Sequence, residues 1–150
     1  MGKLLSFAAP LAFAVGTLVA SSGVSAQVSR EVVQELPPPA QDDLNDALRR
    51  LGRNANDAAA ALDAGMAWLA LGDARSAKTY LEQAQRSQPG APRVLAGLGA
   101  VAVRQGDPVG ALVLFDRAEQ AGSVPDSLVA DRALAYDLVG DNARAQTAYR

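Results

Sequence analysis

The sequence predicts an all-α fold, an α-solenoid built from antiparallel helix pairs stacked in chain order. Three observations point to it. First, the dipeptide Gly-Asp recurs at Gly72-Asp73, Gly106-Asp107 and Gly140-Asp141, each time 34 residues on. Second, residue size keeps the same phase. Small residues stand at Gly65, Gly99 and Ala133 and again at Ala77, Ala111 and Ala145, bulky ones follow at Leu81, Phe115 and Tyr149, and Ala84 and Ala118 come next. Third, the punctuation suits helical hairpins. Glycine takes the left-handed conformation that ends a helix, aspartate accepts the orphan N–H groups that start the next, and Pro108 occupies a first helical position where a missing N–H costs nothing. Self-similarity at a fixed period of this length marks a repeat architecture whose units are too thin to fold alone.

The elements follow in order. Residues 1–26 read as a secretory signal peptide: Lys3, an apolar run from Leu4 to Ala20, then small residues ending Val24-Ser25-Ala26. The apolar run is near the lower limit for a membrane span. Pro10, Gly16 and the small-residue exit nevertheless favour cleavage after Ala26 over a retained anchor. Residues 27–40, "QVSREVVQELPPPA", form a proline-rich linker in which Pro37 to Pro39 favour extended polyproline backbone. A spacer is expected there rather than a recognition motif.

Residues 41–57 predict one helix that packs on the array or forms a half-repeat. Leu44, Leu48 and Leu51 share a face, Asp42, Asp43 and Asp46 sit near its start, and Arg49, Arg50 and Arg53 near its end. That order suits the helix dipole, and Gly52 is the expected terminator. Three units then fill residues 58–91, 92–125 and 126–150. By register, the second helix of the third unit runs past Arg150, so the chain is expected to be part of a longer one.

Composition narrows the function. Fourteen Lys and Arg against sixteen Asp and Glu leave a net charge of −2, without the basic face that nucleic acid requires. Cysteine and histidine are absent. This removes disulfides, a lipidated cysteine, thiol nucleophiles, Cys/His metal sites and histidine bases. The remaining candidates for chemistry have plainer readings. "GLGAVA" (Gly97–Ala102) has the spacing of a dinucleotide loop but lies inside a helix set by the register rather than after a strand. Asp42/Asp43 suit a helix start, and Asp116/Glu119 a solvated face near Arg117. Ser76 and Ser127 have no histidine to activate them, and Lys78 alone remains as a lysine base. No enzyme, cofactor or metal is expected.

The repeat resembles the tetratricopeptide repeat (TPR), a 34-residue helix–turn–helix. The matching residues are Gly65, Trp68, Gly72, Ala77, Leu81, Ala84 and Pro89. In the second unit they are Leu98, Gly99, Gly106, Ala111, Phe115 and Ala118, and in the third Ala133, Tyr136, Gly140, Ala145 and Tyr149. Ala102 replaces an expected aromatic, and Ser123 replaces the terminal proline. The resemblance implies a right-handed superhelix whose first helices line a concave groove for an extended peptide or partner helix. Carried over by position, the protein-binding groove comprises Leu62, Met66 and Leu69 from the first unit. It adds Arg93, Ala96, Ala100, Val103 and Arg104 from the second, and Ser127, Ala130, Leu134 and Asp137 from the third. The family subtype that clamps C-terminal carboxylates is not matched, because Leu62, Met66, Gly97, Ser127 and Asp131 stand at its positions.

The implied function is an exported scaffold, in the bacterial periplasm, that binds a protein or peptide partner. Weaker resemblances extend to repeats of Tad-type pilus-assembly proteins and to arrays preceding peptidoglycan-binding SPOR domains. The alternative is a structural spacer within a larger envelope protein. Self-association through an uncapped C-terminal end is a further expectation, as is no membrane insertion once the signal is removed.

Overall fold

Gly72, Gly106 and Gly140 adopt φ of 86°, 85° and 84°, and around each the backbone closes in the same way. The glycine N–H donates to the carbonyl of Leu69, Val103 or Asp137, at 3.0 Å in all three. The following aspartate N–H donates to Trp68, Ala102 or Tyr136 at 2.9–3.0 Å. These paired bonds satisfy the last carbonyls of one helix. The same aspartate then opens the next. Asp73 accepts from the N–H groups of Arg75 and Ser76, Asp107 from Gly110, and Asp141 from Arg144. One residue therefore serves two helices.

The computed structural model describes residues 39–149. Within them lie seven α-helices: α1 (Pro39–Arg53), α2 (Ala58–Ala70), α3 (Ala74–Ser87), α4 (Pro92–Arg104), α5 (Pro108–Ala121), α6 (Val129–Leu138) and α7 (Asn142–Ala148). A short 3₁₀ turn, Asp126–Leu128, precedes α6. Pro125 offers no capping side chain there, and Leu128 N–H closes on the Pro125 carbonyl at 2.8 Å. A tightened first turn is one way to satisfy orphan N–H groups.

The helices pack mainly as sequential antiparallel pairs, α2 with α3, α4 with α5 and α6 with α7. α1 lies against α2. Between pairs, α3 touches α4 and α5 touches α6. The first helices also touch in series, α2 on α4 and α4 on α6. Among the described residues, α3 makes no such contact with α5, nor α5 with α7.

Size alternation explains the close approach. A methyl on Gly65 would lie 2.6 Å from Leu81 Cγ, and one on Gly99 would lie 3.2 Å from the Phe115 ring. Each glycine is thus a hole for a bulky residue of its own hairpin, and both Leu81 and Phe115 are fully buried. In the third hairpin Ala133 carries the methyl that the others lack, and Tyr149 is 54% exposed. A smaller cluster joins α1 to the array through Leu44 and Ala47 against Ala64 and Ala67.

Two predicted boundaries move. α1 begins at Pro39, inside the stretch read as linker (27–40), because proline fits a first helical turn. Gly52 does not end α1, which continues through Arg53. The predicted signal peptide and nearly all of the linker lie outside the described residues. No helix among the described residues is long and apolar enough to cross a membrane.

Candidate functional site

α2 is touched by α1 on one side and by α4 on another, while α1 and α4 do not touch each other. A depression of about 600 Å³ opens along this junction. Its apolar floor is Met66 and Ala70 of α2, with the edges of the nearly buried Ala67 and Leu69. One wall is α1, through Ala40, Asp43, Asp46, Ala47 and Arg50. The other is Arg93 and Arg104 of α4, continued by Ser127 and Leu128 of the 3₁₀ turn.

Charges in the walls are largely committed to each other. Arg50 donates from Nη1 to Asp63 Oδ2 at 2.8 Å and from Nη2 to Asp57 Oδ2 at 3.2 Å. The hydrogen bond to Asp63 raises the Arg50 pKa above its usual value, desolvation opposes it, and the charge of Asp57 adds to the rise. Asp57 also caps α2, and the bond from Ala60 N–H is the main reason its carboxyl lies below the usual range. Arg104 grips Asp131 through Nε at 2.9 Å and Nη2 at 3.0 Å, while its Nη1 donates to the Leu69 carbonyl at 2.5 Å. Asp131 is only 9% exposed. Asp46 pairs with Arg49 one turn on.

Arg93 is different. Its side chain is 56% exposed, and its nearest carboxylate oxygen is Asp63 Oδ1 at 4.0 Å, beyond hydrogen-bond distance. Asp43 is exposed, and among the described residues it has no hydrogen-bond or ion-pair partner.

Of the predicted groove, Met66, Leu69, Arg93, Arg104 and Ser127 meet at the depression. Leu62, Ala96, Ala100 and Val103 do not line it. They are 0–7% exposed and belong to the core, because α2 and α4 are each covered on several sides by neighbouring helices. Leu69 is 2% exposed and contributes its backbone carbonyl rather than a side-chain surface. Ala130, Leu134 and Asp137 are exposed on α6 but lie outside the depression. Position-by-position transfer missed the α1 wall and Asp63. The signal for the wall was present: Arg53 and Ser87, the last residues of α1 and α3, are 34 apart, so α1 occupies the phase of a second helix.

Glu119, weighed above as half of an acid–base pair, forms an ion pair with Arg132 and ties α5 to α6. No protein-family model matches the chain, and no curated protein matches it either.

Proposed function

We propose that the chain is an exported, tetratricopeptide-like helical solenoid of the bacterial envelope. It binds a protein or peptide partner on the face formed by α1, α2 and α4, and catalyses nothing itself. The repeat reading is supported by register. α2 and α4 start and end 34 residues apart, as do α3 and α5, and first helices touch in series while second helices do not. Stacked hairpins with nearest-neighbour contacts have this pattern. Export rests on the order of residues 1–26, and the absence of histidine and cysteine supports a binding role over a catalytic one.

The depression carries the binding reading. Its volume falls within the roughly 300–1,000 Å³ of ligand sites, and it combines an apolar floor with a few placed polar groups. Selection of a random-peptide display library on the folded chain tests this. Enriched peptides are expected to protect α2 and the start of α4 from hydrogen exchange. Failure to enrich any peptide, or protection confined to other helices such as α5, refutes the assignment.

A further inference from the structure

The depression is lined by both signs of charge, and its hydrogen bonds decide which of them a partner meets. Arg104 spends Nε, Nη1 and Nη2 on Asp131 and Leu69. Arg50 spends both terminal nitrogens on Asp63 and Asp57. A partner engaging either arginine must first displace a part-buried internal bond, leaving a carboxylate unpaired at a cost that cancels much of the gain. Asp46 has Arg49 beside it.

Two groups are left, one on each wall. Asp43 projects from α1 without an ionic or hydrogen-bonding partner among the described residues. Arg93 projects from α4 with no hydrogen bond to its side chain among the described residues, and only a loose, exposed ion pair with Asp63 at 4.0 Å. A guanidinium offers five N–H donors in a planar fork that matches a carboxylate. Arg50, Asp57, Asp63 and Arg93 together are electrically neutral, so Arg93 acts through directed hydrogen bonds rather than a long-range field. α2, which touches both α1 and α4, presents Met66 and Ala70 to the depression, with Ala67 nearly buried against α1.

We propose that the segment recognised here is a mixed-charge peptide. An apolar side chain rests on α2, a basic residue on one side pairs with Asp43, and an acidic residue on the other pairs with Arg93. This rests on the binding role proposed above and adds the chemistry of the partner. A uniformly acidic segment would meet Asp43, and a uniformly basic one would meet Arg93.

The same display selection, repeated on Arg93→Glu and Asp43→Lys, tests it. Both positions are exposed, so both variants are expected to melt with the parent by circular dichroism. Peptides enriched on the parent should carry a basic and an acidic residue flanking an apolar one. Either substitution should weaken a selected peptide by about tenfold in calorimetry. A peptide with its two charges exchanged should regain binding to the Asp43→Lys/Arg93→Glu double variant. Enriched peptides lacking this charge pattern, or equal affinity for parent and variants, overturn the mixed-charge assignment while the binding role stands. No enrichment on the parent overturns both.

Discussion

Arg104 and Asp131 face each other through two parallel hydrogen bonds of 2.9 and 3.0 Å, and the remaining Arg104 nitrogen holds the carbonyl of Leu69. A single side chain thereby ties α2, α4 and α6. Fork-to-fork geometry of this kind is the strong form of an ion pair. Asp131→Ala is expected to destabilise the fold by about 2 kcal/mol. This is less than the roughly 3–5 kcal/mol of a fully buried pair, because the Arg104 side chain is 30% accessible. Arg104→Lys should recover only part of the pair, since an ammonium lacks the planar fork. Urea denaturation of the three proteins checks both statements.

Gly65 and Gly52 are both helical glycines with opposite surroundings. A methyl at Gly65 meets the buried Leu81 at 2.6 Å, whereas one at Gly52 meets nothing within 4 Å. Helix propensity favours alanine at either position by about 0.5–1 kcal/mol. At Gly65, overpacking of about 1–3 kcal/mol outweighs that gain. Gly65→Ala should therefore lower the melting temperature and Gly52→Ala should raise it slightly. A rise for Gly65→Ala would mean that Leu81 is not locked in place.

Gly106 stands in the left-handed region with open space around it, so a substitution there isolates backbone strain from packing. Gly106→Ala should cost about 1–2 kcal/mol, with no change in the cooperativity of unfolding. Equal stability in calorimetry would show that the turn relaxes to another geometry.

Asp57 and Asp73 both cap helices, and their carboxyl pKa values lie below the ordinary value of 3.8. The main causes are the bonds from the N–H groups of Ala60 and Ser76 respectively. A depressed carboxyl stabilises the fold above its unfolded value. That contribution is lost as pH falls from 3.8 through the lower folded values. Thermal stability should therefore fall on acidification through this window. Asn also caps helices but does not titrate, so the Asp57→Asn/Asp73→Asn variant should show a shallower slope there. An unchanged slope would remove these two groups as the source.

Much of this arrangement was legible in the residues themselves. The Gly-Asp turns could be read because they are local: a backbone closure and a cap need no information from elsewhere in the chain. The pairing of Gly65 with Leu81 and of Gly99 with Phe115 was written in the repeat phase. The open face was less legible. α2 reads "AAAALDAGMAWLA", and a helix flanked by α1, α3 and α4 carries apolar residues on nearly every side. No polar stripe distinguishes Met66, at the depression, from Leu62, in the core. Arg104 does line the depression, but its commitment to Asp131 was not legible, because it depends on a residue 27 positions away. Residues 41–57 fit a packing helix and a half-repeat equally well. Their charges matched a dipole pattern just as well as a binding wall.

The turns within hairpins and the joints between them are built differently. Each Gly-Asp turn is locked by two backbone bonds and a side-chain cap, whereas neither α4 nor the 3₁₀ turn before α6 receives a side-chain cap at its start. Any flexing of the array would therefore fall first at the joints between hairpins, where fewer bonds oppose it. The surface running across α2, α4 and α6 spans those seams, so flexing there would change its curvature without unfolding a hairpin. Arg104 bridges two of the seams at once, so its bonds would have to stretch or break for either to open.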